Sequence, residues 1–236
     1  MLSIQYLFAF IMTVMNSNND TPDFPLVYKV QLPDEQLNDG SAIFMLHGVG
    51  SNEQDLFSLA SRLPKSAYIF SLRGPITLGP TNYAWYHLDL STGKPRYAYD
   101  EVEKSRELII EFIDAAIEEH GLDPDKIVLL GFSQGTIMSY SVAIAEPELA
   151  TGIAAFSGRM LIEDQEALED ISLEQMDVFM SHSPADKMLT FNYAKEAQEV
   201  LEGKIRSLEF HTHGYGHAID PASIEKLTVW FENIID

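Results

Sequence analysis

A short apolar strand runs straight into Gly131-Phe132-Ser133-Gln134-Gly135, and a long apolar helix runs straight out of it. The strand covers residues 126–130 and follows the turn-forming Asp123-Pro124-Asp125. The helix covers residues 136–145 and stops ahead of Pro147. About one chain in ten of this length carries a G-x-S-x-G pentapeptide by chance, so the flanks decide its meaning. A buried strand before it and a buried helix after it are the setting of a nucleophile elbow. Such a turn forces Ser133 into a strained conformation and brings neighbouring backbones very close. Gly131 and Gly135 lack the Cβ atoms that would clash there. The helix points its first amides at the serine oxygen, where negative charge would develop. Ser133 is the first candidate for chemistry.

The rest of the chain alternates in the α/β manner. Strands are predicted at 26–31 (an edge), 42–46, 67–72, 151–156, 178–182 and 205–210. Helices are predicted at 53–62, 101–120, 187–201 and 221–234. In the second of these, Val102, Ile109, Ile113 and Ala116 share a stripe, with Gly121 as the C-cap. Residues 73–99 read as one long polar and aromatic connection, of a length that is usually functional or inserted. The expectation is one doubly wound α/β domain over 25–236, with a mostly parallel sheet.

Residues 1–24 read as a peripheral, non-catalytic tail. Met1 to Met15 is apolar but has no basic start and no small-residue cleavage site. A weak export signal, a membrane-brushing segment or a start placed upstream of Met12 or Met15 are its other readings. It is too short to span a bilayer comfortably, so no stable membrane span is expected. Fifteen basic against 36 acidic residues give a net charge of −21, which argues against nucleic acid and anionic membranes as partners. The chain has no cysteine, which excludes disulfides, thiolate catalysis and cysteine metal sites.

A serine hydroxyl needs a base within hydrogen-bond reach and a third group to orient that base. In an open parallel sheet these partners belong on loops after later strands, in the order Ser, acid, His. Asp186 follows the 178–182 strand, and His217 lies between the last strand and the last helix. His211 and His213 with His217 could form a metal cluster, but no carboxylate stands at matching spacing. His182 reads as a loop-packing residue, and His87 and His120 as structural or surface groups. Asp177 stands ahead of its strand, and Asp220 caps the last helix before Pro221. Asp186 and His217 survive. For the oxyanion hole, one donor should be the amide of Gln134 and the other that of Val49 in His47-Gly48-Val49-Gly50. His47 itself is expected to brace that loop.

Several further motifs occur in order with these. They are Asn52-Glu53-Gln54-Asp55-Leu56, Arg73-Gly74-Pro75, Tyr83-Ala84-Trp85-Tyr86, Phe156-Ser157-Gly158, Ala185-Asp186 and Gly216-His217. Together the set resembles the phospholipase/carboxylesterase family of α/β hydrolases, from about residue 25 to the C-terminus. The resemblance implies an α/β-hydrolase fold without a large lid and a Ser133, Asp186, His217 triad. It also implies Val49 and Gln134 as oxyanion donors, and no metal or organic cofactor. Trp85, Met160 and Met188 are its candidate substrate contacts on the walls of an uncovered site. The activity implied is hydrolysis of small-molecule carboxylic esters with short-to-medium acyl chains. The alternatives are a lysophospholipase or acyl-protein thioesterase, and a catalytically dead binding relative, which would have to lack a triad member. A cytoplasmic location is expected, with the apolar N-terminus the argument for export. The chain departs from the family pattern at Ser183, usually glycine, and at Lys187 and Met188, usually valines.

Overall fold

The strand leading to Ser133 is apolar on both faces because helices cover both faces of its sheet. The computed structural model describes residues 24–89 and 95–235. Its central sheet has seven strands. They are β1 (Tyr28–Gln31), β2 (Ala42–Leu46), β3 (Tyr68–Leu72), β4 (Ile127–Phe132), β5 (Gly152–Phe156), β6 (Leu173–His182) and β7 (Ile205–Thr212). The spatial order is β1-β3-β2-β4-β5-β6-β7. β1 runs antiparallel to β3 at the edge, and every other pairing is parallel.

Among the described residues five α-helices accompany the sheet: α1 (Tyr99–His120), α2 (Gln134–Ala145), α3 (Ile162–Ala167), α4 (Phe191–Leu201) and α5 (Pro221–Ile235). Alternate strand residues serve opposite faces, as the two-residue period of a strand requires. Phe44, Leu129 and Val178 share one core with Phe112, Ile137 and Leu201 of α1, α2 and α4. Ile43, Val128 and Phe179 share the other with Ile224, Leu227 and Phe231 of α5. α1 buries the predicted stripe and ends at Gly121, whose φ of 63° suits glycine.

The chain lays β3 on one side of β2 and β4 on the other, so the winding reverses between β2 and β4. Open sheets bind ligands outside the carboxyl ends of the strands at such a point. The loop after β2 carries residues 47–50, and the turn after β4 carries Ser133. Topology alone brings the two together.

Some elements differ from expectation. The helix predicted at 53–62 is a 3-10 segment, Leu56–Arg62. Local side-chain bonds compete for its first turn: Asn52 Oδ1 accepts from the Gln54 amide at 2.9 Å, and Ser51 Oγ donates to Asp55 at 2.6 Å. Residues 73–99 hold two small hairpins, Ile76–Gly79 with Asn82–Ala84 and Leu88–Asp89 with Arg96–Tyr97. β6 starts at Leu173, which pairs with Ile205 before the register shifts ahead of Asp177. Asp177 thus lies inside the strand, though at its amino-edge partner Gly152, where Arg206 and Ser207 hold it. The helix predicted from 187 starts at Phe191, because Asp186 draws the intervening amides into a turn. The tail reading lies outside the described residues except for Phe24, which packs on Tyr28 and Phe112. No helix among the described residues is long and apolar enough to cross a membrane.

Candidate active site

Ser133 joins β4 to α2 with φ 55° and ψ −114°, a region that costs a residue with a Cβ of order 1–3 kcal/mol. The surroundings impose it. A Cβ on Gly135 would lie 1.8 Å from the Leu46 carbonyl oxygen, and one on Gly131 would lie 2.4 Å from Thr136 Cα. β4, α2 and the end of β2 are therefore packed backbone to backbone, and the turn has no room to relax. The Ser133 amide donates to Phe156 O at 2.9 Å, and Thr136 Oγ1 lies 2.7 Å from Gly131 O. Ser133 stays only slightly accessible, at 8%.

The structure brings Ser133, His217 and Asp186 into one chain of hydrogen bonds. His217 Nε2 lies 3.0 Å from Ser133 Oγ, and Nδ1 lies 2.7 Å from Asp186 Oδ2. With an ionised carboxylate on Nδ1, that nitrogen carries the proton and Nε2 is left to accept from the serine. Asp186 is buried, and its Oδ1 accepts from the Met188 and Leu189 amides at 2.8 and 3.0 Å. The Phe132 ring, 5.0 Å from the imidazole, supports it from the elbow side. Such an arrangement can deprotonate a hydroxyl and store the resulting positive charge.

The loop after β2 is held from several sides. His47 Nδ1 donates to Gly48 O at 2.7 Å, and Nε2 accepts from the Gly74 amide at 3.0 Å. Burial lowers the His47 pKa and favours this neutral form, so His47 is the brace that its sequence position suggested. Beneath it Arg73 donates to both Glu53 oxygens, at 2.6 and 2.7 Å. Burial alone would raise the Glu53 carboxyl, but the Arg73 bonds prevail and hold it below the usual carboxylate range. Gly50 takes φ 80°, and its amide donates to Tyr83 O at 2.8 Å. Val49 stands at the tip of this loop, between Gly48 and Gly50. The Gln134 amide opens α2 and is among the first four helix amides, which have no intrahelical acceptor.

The remaining histidines go elsewhere. His211 lies against Glu209 and Lys226, and His213 Nδ1 accepts from the Tyr215 amide. His87 binds Glu101, and His120 packs on Tyr68 and Phe70. Among the described residues no group of three or more acidic or histidine side chains is placed to hold a metal. Asp220 accepts from the Ala222 and Ser223 amides and so caps α5.

A family model described as phospholipase/carboxylesterase matches residues 30–235. The chain belongs to that family. Esterase YpfH of Escherichia coli K12 is 28% identical over 204 residues, 84% of each chain. Acyl-protein thioesterase 1 of Kluyveromyces lactis is 24% identical over 200 residues, 79% of this chain and 87% of that one. The carboxylesterase structure from Bacillus cereus aligns with a TM-score of 0.74 at 21% identity, over 89% of this chain and 94% of that one. The fold is the single-domain α/β-hydrolase fold, and the protein is a hydrolase acting on ester bonds.

In this phospholipase/carboxylesterase-family chain the expected wall residues fall in two classes. Met188 is 65% exposed on the loop that carries Asp186. Trp85 and Met160 are buried instead of lining an open wall. The Trp85 indole donates to His47 O at 2.8 Å, and its amide donates to Gln134 Oε1 at 2.9 Å. Gln134 Nε2 donates onward to Tyr86 O at 2.8 Å. Trp85 therefore ties the elbow to the loop after β2, a packing duty that its place in a long connection conceals. Sequence reasoning also missed the side chain of Gln134, because its partners stand 48 and 49 residues away.

Two further side chains support the acid. His182 Nε2 donates to Leu189 O at 2.8 Å and lies 3.4 Å from Asp186 Oδ2. Burial lowers its pKa, so it serves as a neutral neighbour. Its i, i+4 spacing to Asp186 was the available signal. Ser183 departs from the family's glycine, and its buried hydroxyl accepts from the Ala185 and Gly216 amides, each at 3.1 Å. That one oxygen joins the acid loop to the loop of His217. Ser183→Ala is expected to leave both amides unpaired, at a cost of about 1–3 kcal/mol. Urea unfolding should register that loss, and kcat should fall several-fold with KM nearly constant. An unchanged kcat would mean that the hydroxyl does not align the two loops.

Proposed function

We propose that the protein is a serine carboxylesterase in which Ser133 is the nucleophile, His217 the base and Asp186 the orienting acid. The observation that carries this is the unbroken relay Ser133–His217–Asp186 at a strained strand-to-helix turn. His217 Nε2 takes the hydroxyl proton as Oγ attacks the ester carbonyl. The Val49 and Gln134 amides receive the oxyanion; one such donor typically contributes about 3 kcal/mol to the transition state. His217 then protonates the leaving alcohol, and water attacks the acyl-enzyme with the same groups in reversed roles. No step draws on a metal or an organic cofactor.

Val49, Met188 and Tyr215 are exposed apolar side chains on the three loops that carry the oxyanion, acid and base candidates. We take them as the contact rim for the substrate, with Trp85 and Met160 supporting it from behind. The rim lies open, which suits small esters with short-to-medium acyl chains. The relative named acyl-protein thioesterase supports a second reading, hydrolysis of longer acyl thioesters or lysophospholipids.

A p-nitrophenyl ester ladder from acetate to palmitate separates the two. A maximum in kcat/KM at short chains is the expected result. A steady rise towards palmitate would move the assignment to the long-chain alternative.

A further inference from the structure

Arg159 stands in the loop between β5 and α3, one residue beyond Gly158. Gly158 is pressed onto the first turn of α2, where an added Cβ would come within 2.2 Å of Thr136 Cβ. Arg159 therefore emerges beside the elbow, on the carboxyl side of the sheet. Its guanidinium lies over two rings, Tyr97 at 5.6 Å and Tyr193 at 5.3 Å from the centroids. Tyr193 belongs to the first turn of α4, just past the loop of Asp186. Tyr97 closes the second hairpin and packs on Tyr86, whose carbonyl accepts from Gln134. Arg159 is thus framed by the elements that carry the triad and oxyanion candidates.

Arg159 is half-buried and its guanidinium lies over two aromatic rings, yet no carboxylate among the described residues lies within ion-pair distance of it. Arg73, Arg106 and Arg206 each have one. The nearby Glu163 carboxylate instead accepts from Tyr97 OH at 2.8 Å. No hydrogen bond from the Arg159 guanidinium to a described residue is formed either, so its forked donors are unclaimed among the described residues. A chain of net charge −21 repels anions in general. A guanidinium beside the elbow, held over two rings and with no ion-pair partner among the described residues, is the counter-arrangement, because its fork matches the oxygens of a carboxylate or phosphate.

We infer that Arg159 is a specificity-determining residue that binds an anionic group, carboxylate or phosphate, on the substrate of the proposed esterase. This rests on the reading of Ser133 as the nucleophile. Tyr97 and Tyr193 hold the guanidinium by cation–π contact and leave its edge for the anion.

The experiment compares kcat/KM for matched pairs of esters. One pair is p-nitrophenyl hydrogen glutarate and its neutral methyl ester, with the anion in the acyl part. The other is lysophosphatidate and monoacylglycerol, with the anion in the alcohol part. Wild type is expected to favour the anionic member of one pair about tenfold or more, mainly through KM, and to lose the preference in about 0.5 M salt. The pair that responds identifies which part of the substrate carries the charge. Arg159→Gln should abolish the preference, and Arg159→Lys should keep part of it as a point charge without a fork. Equal rates for both members of each pair in wild type would overturn the inference without any variant. So would a preference that survives in Arg159→Gln. Hydrolysis of the neutral methyl ester that Ser133→Ala also supports would instead overturn the nucleophile assignment, which keeps the two failures distinct.

Discussion

Ser133→Ala is expected to lower kcat for ester hydrolysis by about a millionfold, the usual cost of deleting such a nucleophile. The prediction is sharp because the substitution removes one oxygen and leaves the geometry. Alanine keeps the Cβ, so it occupies the same φ 55° turn with no new contact, and Gly131 and Gly135 still permit the approach of β2 and α2. The Ser133 amide still donates to Phe156 O, because that bond uses backbone alone. Thermal stability should therefore be nearly unchanged while turnover disappears. The residual rate should remain above that in water, since the proposed oxyanion donors, the Val49 and Gln134 amides, survive. Steady-state kinetics with a p-nitrophenyl ester measures the loss. Covalent labelling by a fluorophosphonate, stoichiometric in wild type and absent in the variant, separates a lost nucleophile from a damaged pocket. Near-wild-type turnover would place the chemistry on another residue.

The elbow could be read in the sequence because each of its constraints is local. A strand, a turn and a helix occupy consecutive residues, and steric crowding at Gly131 and Gly135 leaves glycine as the residue that fits. The stripe of α1 is equally local, because a 3.6-residue period repeats over about four turns from Val102 to Ala116 and Gly121 marks the helix end. Asp186 and His217 could be located because the fold dictates which loops face the elbow, although their distances from Ser133 cannot be read from spacing.

What stayed hidden depends on distant partners. Leu173 enters β6 only because Ile205 pairs with it across a register shift, and nothing in Leu173-Glu174-Gln175-Met176 announces that. The hairpins within 73–99 have strands of two to four residues, too short for a period to show. Trp85 looks like a wall residue until His47 O is found at its indole nitrogen. Ser183 reads as a departure from a family pattern, whereas its use requires knowing that Gly216 comes within reach. Residues 53–62 differ for the opposite reason: Leu56, Leu59, Ala60 and Leu63 do face the core, but Asn52, Ser51 and Asp55 spend their side chains on local bonds.

Asp186→Asn is expected to reduce kcat by about ten thousandfold, with KM much less affected. The hydrogen bonds around the carboxylate decide how an amide would orient. Oδ1 faces two backbone donors, the Met188 and Leu189 amides, whereas Oδ2 faces His217 Nδ1 and has His182 Nε2 at 3.4 Å. Asparagine brings one acceptor and one donor group. Its oxygen is claimed by the two amides, which would otherwise face an NH2 in a buried loop. The NH2 is then directed at His217 Nδ1, which must give up its proton to accept. That moves the imidazole proton to Nε2, where it opposes Ser133 Oγ as a second donor rather than a base. The acid loop should hold its shape, so fluorophosphonate labelling should slow by a factor comparable to that in kcat while the folded fraction stays the same. Asp186→Ala differs, since it also strands the Met188 and Leu189 amides and should lose stability with activity. A variant Asp186→Asn within tenfold of wild type would deny Asp186 the orienting role. Asp220 could not easily take over, because its Oδ1 is already committed to the first amides of α5.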